Sequence, residues 1–172
     1  VRIVTSEFTA TAATATVVDA AQSDLVTLNG GDIILVVTTG DLTLNDGSGI
    51  VDQTGGDSRS SDGVAVSANG SGRILLSSAG ALNVNADVVS TSGFLTLTAS
   101  GNLSLAAGVG VSTGADISLR TTAGSILMHG TATVTAVGST LRLVAAGALT
   151  VGNLSATSVS LLSAGAITNA SG

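Results

Sequence analysis

Cysteine, proline, lysine, tryptophan and tyrosine are all missing from these 172 residues. Without cysteine there is no disulfide frame and no thiol chemistry. Without proline no strand loses an amide donor, and tight corners fall to glycine, of which there are 23. Basic residues are few: Arg2, Arg59, Arg73, Arg120 and Arg142 are scattered through a chain of formal net charge −6. The only aromatics are Phe8 and Phe94. A nucleic-acid groove needs clustered cations and stacking platforms, so no nucleic-acid partner is expected. Mean hydropathy is +0.61, yet no apolar run reaches the roughly 18 residues of a spanning helix, so no membrane insertion is expected.

What is present is a short unit, repeated. Residues 80–128 read G-A-L-N-V, A-D-V-V-S, G-F-L-T-L, G-N-L-S-L, G-V-G-V-S, G-A-D-I-S-L and G-S-I-L-M. Most units open on glycine and run aliphatic, small polar, aliphatic. Alternation of this kind sends the two aliphatic residues to one side and the polar one to the other. The expected core is therefore Leu42 and Leu44, Ile74 and Leu76, Leu82 and Val84, Leu95 and Leu97, and Leu103 and Leu105. It continues with Ile117 and Leu119, Ile126 and Met128, Leu141 and Leu143, Leu149 and Val151, Val159 and Leu161, and Ile167.

The spacing sets the architecture. Steps from Ile74 to Leu95, Ile117, Leu141 and Val159 are 21, 22, 24 and 18 residues. Steps from Leu82 to Leu103, Ile126, Leu149 and Ile167 are 21, 23, 23 and 18. The longer gap in each period holds a third short strand: Val88-Val89, Val109-Gly110-Val111, Thr133-Val134-Thr135 and Leu154-Ser155. A period near 21 residues, with three strands and glycine-rich corners, predicts an all-β parallel β-helix. The preference for right-handed parallel connections predicts its hand. The whole chain, 1–172, is expected to form one such domain of about eight coils, a rod of about 40 Å at ~4.8 Å per coil.

Two stretches depart from the pattern. Residues 1–24 are irregular and Ala/Thr-rich, expected as a lead-in strand or makeshift cap. Residues 45–63 are the most polar part and are expected as an insertion projecting from one corner, with Ile50-Val51 a possible rung within it. The insertion holds Asp46, Asp52, Asp57 and Asp62. Asp52, Asp57 and Asp62 are the candidate metal ligands, for calcium, but their spacing matches neither an EF-hand nor a glycine-rich nonapeptide. A solvated acidic loop is the better reading. The chain opens on Val1 without a visible signal peptide, and its last coil has no capping element. The expectation is a processed product or a segment of something longer, continuing in a parent chain or associating end to end.

Chemistry-bearing residues are sparse. His129 is the only histidine and has no partners for a triad or a metal site. Glu7, Asp19, Asp24, Asp32, Asp41, Asp87 and Asp116 are isolated along the chain. No catalytic residue and no cofactor is expected, and the chain is not expected to be an enzyme. Four Asn-x-Ser triplets, at Asn69, Asn102, Asn153 and Asn169, are explained by abundant Asn and Ser. Leu75 and Leu127 are placed outward. A hydroxyl row of Thr43, Thr96, Ser104, Ser118, Thr150 and Ser160 suggests ice binding, but Leu75, Asn83, Leu127 and Arg142 interrupt it.

The units Gly40-Asp41-Leu42-Thr43-Leu44, Gly101-Asn102-Leu103-Ser104-Leu105, Gly147-Ala148-Leu149-Thr150-Val151 and Ser163-Ala164-Gly165-Ala166-Ile167 resemble the G-x-L-x-L repeats of filamentous-haemagglutinin-like adhesins. They are also similar to repeats of other giant bacterial surface proteins. The resemblance covers roughly residues 25–168. It implies secretion, an extracellular or cell-surface location, and a shaft carrying an adhesive tip, with a host or matrix receptor as a possible partner. Such families begin with a secretion module bearing Asn-Pro motifs; this proline-free chain departs from that and corresponds to shaft alone. The alternative is a ligand- or calcium-binding module built on residues 52–62; ice binding and a polysaccharide-active enzyme rank below it, the latter because the β-helix architecture also hosts polysaccharide lyases and hydrolases but this chain has no Lys, Tyr or Trp and its acids outside the insertion are isolated. An unchanged melting temperature on adding calcium or chelator would favour the plain shaft.

The alternation itself is testable. Leu103→Asp places an unpaired carboxylate inside, at a cost of several kcal/mol, and should abolish folding. Ser104→Asp should stay within about 0.5 kcal/mol of wild type by urea denaturation. Equal damage from the two would refute the register.

Overall fold

A strand of three residues cannot stand alone; it needs neighbours on both edges. In the computed structural model, which describes residues 25–46 and 63–171, every strand pairs in parallel with the equivalent strand of an adjacent coil, the inner ones on both edges. The first coil is β1 (Leu25–Thr27), β2 (Ile33–Val37) and β3 (Leu42–Leu44). The second is β4 (Val64–Ala68), β5 (Ile74–Ser78) and β6 (Leu82–Val84). The third is β7 (Asp87–Ser90), β8 (Leu95–Ala99) and β9 (Leu103–Leu105). The fourth is β10 (Gly110–Thr113), β11 (Ile117–Thr121) and β12 (Ile126–Met128). The last two coils hold β13 (Thr133–Ala145) with β14 (Leu149–Val151), then β15 (Asn153–Ser163) with β16 (Ile167–Asn169). The result is a β-solenoid with coils of about 22 residues and no helix among the described residues.

Three ladders run along the stack. The first joins β1, β4, β7, β10 and the leading halves of β13 and β15; the second joins β2, β5, β8, β11 and the trailing halves of β13 and β15. The third is β3, β6, β9, β12, β14 and β16. The expected registers appear directly: Ile74 pairs with Leu95, Leu95 with Ile117, Ile117 with Leu141, and Leu141 with Val159.

Two features differ from expectation. Each ladder has six rungs among the described residues, not eight. Leu25 pairs directly with Val66, and Arg73 bonds to Asp32 across 41 residues, so these coils are neighbours despite the long sequence between them. Residues 1–24 and 47–62, with Ile50-Val51 and most of the expected insertion, lie outside the described residues. Second, β13 and β15 each run on through a corner, where three separate strands per coil were expected. Between the pairs Ala136–Ala156 and Thr140–Ser158, β13 carries three residues where β15 carries one. Gly138, at φ 70°, takes up the excess as a bulge. The same shortened corner accounts in part for the final 18-residue step.

The inward columns form one core. Of the expected set, Ile74, Leu76, Leu82, Val84, Leu95, Leu97, Leu103, Leu105, Ile117, Leu119, Ile126, Met128, Leu141, Leu143 and Leu149 are at most 3% exposed, and Leu44 is 7%. Leu42, Val151 and Leu161 are half-buried against it. Val159 and Ile167, expected inside, are 46% and 50% exposed. They stand in register with Leu141 and Leu149, but no described rung covers their far side. Each fully buried aliphatic side chain contributes about 1.5–3 kcal/mol.

Corners are built from stacked glycines. The Gly80 amide donates to the Gly40 carbonyl at 2.7 Å, Gly101 to Gly80 at 2.8 Å, Gly147 to Gly124 at 2.8 Å and Gly165 to Gly147 at 3.0 Å. A Cβ on Gly124 would run into the Gly101 carbonyl, and one on Gly93 into that of Gly72. This close approach is what the opening glycines of the Gly93 and Gly124 units supply, whereas Gly40, on the first described coil, has open space there and a φ of 86°. Buried hydroxyls complete the corners: Ser90 donates to the Gly72 carbonyl at 2.7 Å, Thr113 to Gly93 at 2.6 Å, and Thr121 to Gly124 at 2.6 Å.

Gly124→Ala should therefore cost about 1–3 kcal/mol through backbone displacement. Gly110→Ala, whose added carbon would come no closer than 3.4 Å to its nearest neighbour, the Asp87 carboxylate, should stay within about 0.5 kcal/mol. Urea titration of both variants measures the contrast; equal stabilities would contradict the stacked corner.

Candidate functional site

The acids that look isolated in sequence share one position. Asp32, Asp41, Asp87 and Asp116 each directly precede the first aliphatic residue of a unit: Ile33, Leu42, Val88 and Ile117. There the side chain leaves a corner and points along the stack. Asp32 accepts the Arg73 amide at 2.8 Å, Asp41 that of Ala81 at 2.7 Å, Asp87 that of Gly110 at 2.6 Å, and Asp116 that of Thr140 at 2.9 Å. Asn102 and Ser125 do the same in the third ladder's corner, accepting from Ser125 at 2.9 Å and Ala148 at 3.0 Å. In each case an oxygen of one coil holds a backbone amide of the next. These residues are clamps between coils, legible in hindsight as Asp, Asn or Ser immediately before Ile, Leu or Val.

Other polar residues are used in the same way. Asn85 donates to Asn45 at 2.8 Å, and Asn153 donates to the Gly130 carbonyl at 3.1 Å. His129 is exposed at a corner, where its Nδ1 accepts the Thr131 amide at 3.2 Å and lies 2.9 Å from the Thr131 hydroxyl. That hydroxyl in turn accepts the Gly108 amide at 2.9 Å. The ring is bound up in its own turn. Among the described residues no three of His, Cys, Asp or Glu gather where a metal ion could sit. The calcium candidates Asp52, Asp57 and Asp62 lie outside the described residues.

The outward hydroxyls do not make one row. Thr96, Ser118 and Ser160 belong to the second ladder, with Leu75 and Arg142 in the same column. Thr43, Ser104 and Thr150 belong to the third, with Asn83, Leu127 and Thr168. The six expected partners thus divide between two faces, because the units alternate between ladders along the chain. Leu127 points outward at 39% exposure; Ile34 and Val36, not singled out by the pattern, are 70% and 53% exposed. Phe94 stands at a corner with its ring half exposed, 52%.

The three arginines among the described residues, scattered in sequence, are gathered by the coiling. Arg73, Arg120 and Arg142 all lie on the second ladder or at its corner. Arg73 pairs with Asp32 at 3.5 Å across the surface. Beside them a groove of about 290 Å³ is lined by Phe94, Thr96, Asp116, Ser118, Thr140 and Arg142 over the backbone of Leu95 and Ile117. Among the described residues no helix is long and apolar enough to cross a membrane. Comparison with protein-family models, with curated proteins and with solved structures gave no match.

Removing a clamp should loosen two coils at once. Asp41→Ala and Asp116→Ala should each lower stability by about 1 kcal/mol, while the asparagine variants, which keep the acceptor oxygen, should lose less than half of that. Thermal or urea unfolding decides; alanine and asparagine behaving alike would show that the amide contact is unimportant.

Proposed function

We propose that this chain is a non-catalytic structural segment, a shaft or filament section of a secreted bacterial surface or extracellular protein, acting in adhesion or as matrix scaffold. The observation that carries the reading is the use made of the polar inventory. The corner acids, amides and buried hydroxyls described above are bonded from coil to coil or within corners. That arrangement favours length and stiffness over chemistry. The G-x-L units, with their resemblance to adhesin shafts, support the same reading.

The last described coil supports continuation along the axis. Val159 and Ile167 extend the inward columns yet stay exposed, and among the described residues β16 pairs on one edge, with β14. Such a face is complemented by another coil, supplied either by a longer parent chain or by a second copy stacked end to end.

Antibodies raised against the folded chain should label intact source cells, and electron microscopy of the labelled material should show rods or fibres with an axial repeat near ~4.8 Å. Labelling confined to lysed cells, or compact particles without an axial repeat, would contradict the assignment.

A further inference from the structure

A net charge of −6 makes an unpaired cation notable in this chain, and two stand together. Arg120 and Arg142 are exposed and have neither an ion pair nor a hydrogen bond among the described residues. Arg142 lies opposite Ser118, and Ser118 is two residues from Arg120 on the neighbouring rung. The two are therefore diagonal neighbours on one sheet face, about 7–8 Å apart at Cα. Asp116 flanks Ser118 on the other side and is the opposite-charge diagonal neighbour of Arg142, but one of its oxygens is held by the Thr140 amide, and among the described residues neither arginine makes an ion pair. An anionic ligand lying across the face would pair with both, since guanidinium groups bind carboxylates in bidentate geometry.

The groove beside them indicates what kind of anion. Arg142 forms one wall. Phe94, the only aromatic among the described residues, offers a half-exposed apolar ring, suited to the C–H face of a sugar. Thr96 and Ser118 supply hydroxyls that donate or accept. Asp116 uses one oxygen on the Thr140 amide and has the other for a ligand hydroxyl. An acidic oxygen in the groove disfavours a chain carrying several charges per sugar, such as a sulfated one, over one with a single carboxylate per ring. Two arginines are too few for nucleic acid, whose binding grows with the number of phosphates neutralised. At about 290 Å³ the groove is near the lower end of small-molecule sites, roughly 300–1,000 Å³, and it opens onto a flat face along which a chain can extend.

We propose that this face binds an acidic polysaccharide of the uronic-acid type, with carboxylates on Arg120 and Arg142 and a sugar ring against Phe94. Binding is lateral, so it leaves the ends of the stack unobstructed and does not depend on the shaft assignment.

The test is titration calorimetry of the intact chain with oligogalacturonate, beside neutral maltohexaose and a sulfated heparin oligosaccharide. Oligogalacturonate should bind, weaken with added salt, and bind at least tenfold more weakly to R120S/R142S and several-fold more weakly to F94S. Both variants lie on the outside and should melt within about 2 °C of wild type, a shift corresponding to less than 1 kcal/mol. Absence of binding, wild-type affinity in R120S/R142S, or equal affinity for maltohexaose would overturn the site. Preference for the heparin oligosaccharide would overturn the uronic-acid assignment.

Discussion

Registration between coils is the constraint on which everything else in this molecule rests. Its β3, β6, β9, β12, β14 and β16 are three residues long, too short to hold any conformation unaided. Each exists because an equivalent strand lies above or below, in parallel and in step. A slip of one residue would send every buried aliphatic outward along that ladder, so the hydrophobic columns and the hydrogen-bond ladders enforce one another. Apolar burial drives the coil closed, and the axial bonds decide which residue stacks on which.

Corners carry the geometric cost of this plan. Coils must approach one another at their bends as closely as in the strands, and only glycine permits it where Gly124 lies over Gly101 and Gly93 over Gly72. The bends also leave amides that strand pairing does not reach. Asp32, Asp41, Asp87, Asn102, Asp116 and Ser125 supply the missing acceptors from the coil before. A low charge content and a nearly complete lack of aromatics follow from the same plan. The core cross-section is filled by paired aliphatics, and few surface positions have more to do than keep the rungs in water.

The period, the three strands of each of the first four coils and the inward side of most units were legible in the sequence, because a strand of the form Leu103-Ser104-Leu105 reveals its facing by alternation alone. Relations across corners were not. Corner length varies, from three residues between Ala136 and Thr140 to one between Ala156 and Ser158, so the two series of steps gave ladder membership but not which outward side chains lie side by side. Thr96 and Ser104, drawn into one hydroxyl row, belong to the Leu95 and Leu103 units and so stand on two faces, and Arg120 and Arg142, 22 residues apart, stand side by side. The clamps escaped notice for a different reason. An aspartate before an aliphatic residue is an ordinary dipeptide, and its meaning appears only once a second coil places an amide within reach. Val159 and Ile167 are exposed because no described rung covers their far side, and alternation gives only the facing of a residue, not its cover.

Absence of cysteine offers a direct measurement of the central claim, since labels can be placed one pair at a time. Thr43, Asn83, Ser104, Leu127, Thr150 and Thr168 form one outward column, a single rung apart at each step. Spin labels on cysteines at 43 and 168 should give a dipolar distance of about 24 Å, and labels at 43 and 150 about 19 Å, each coil adding ~4.8 Å. Distances that fail to grow linearly with coil number, or that place 43 beside 168, would contradict the stacked solenoid and every inference drawn from it.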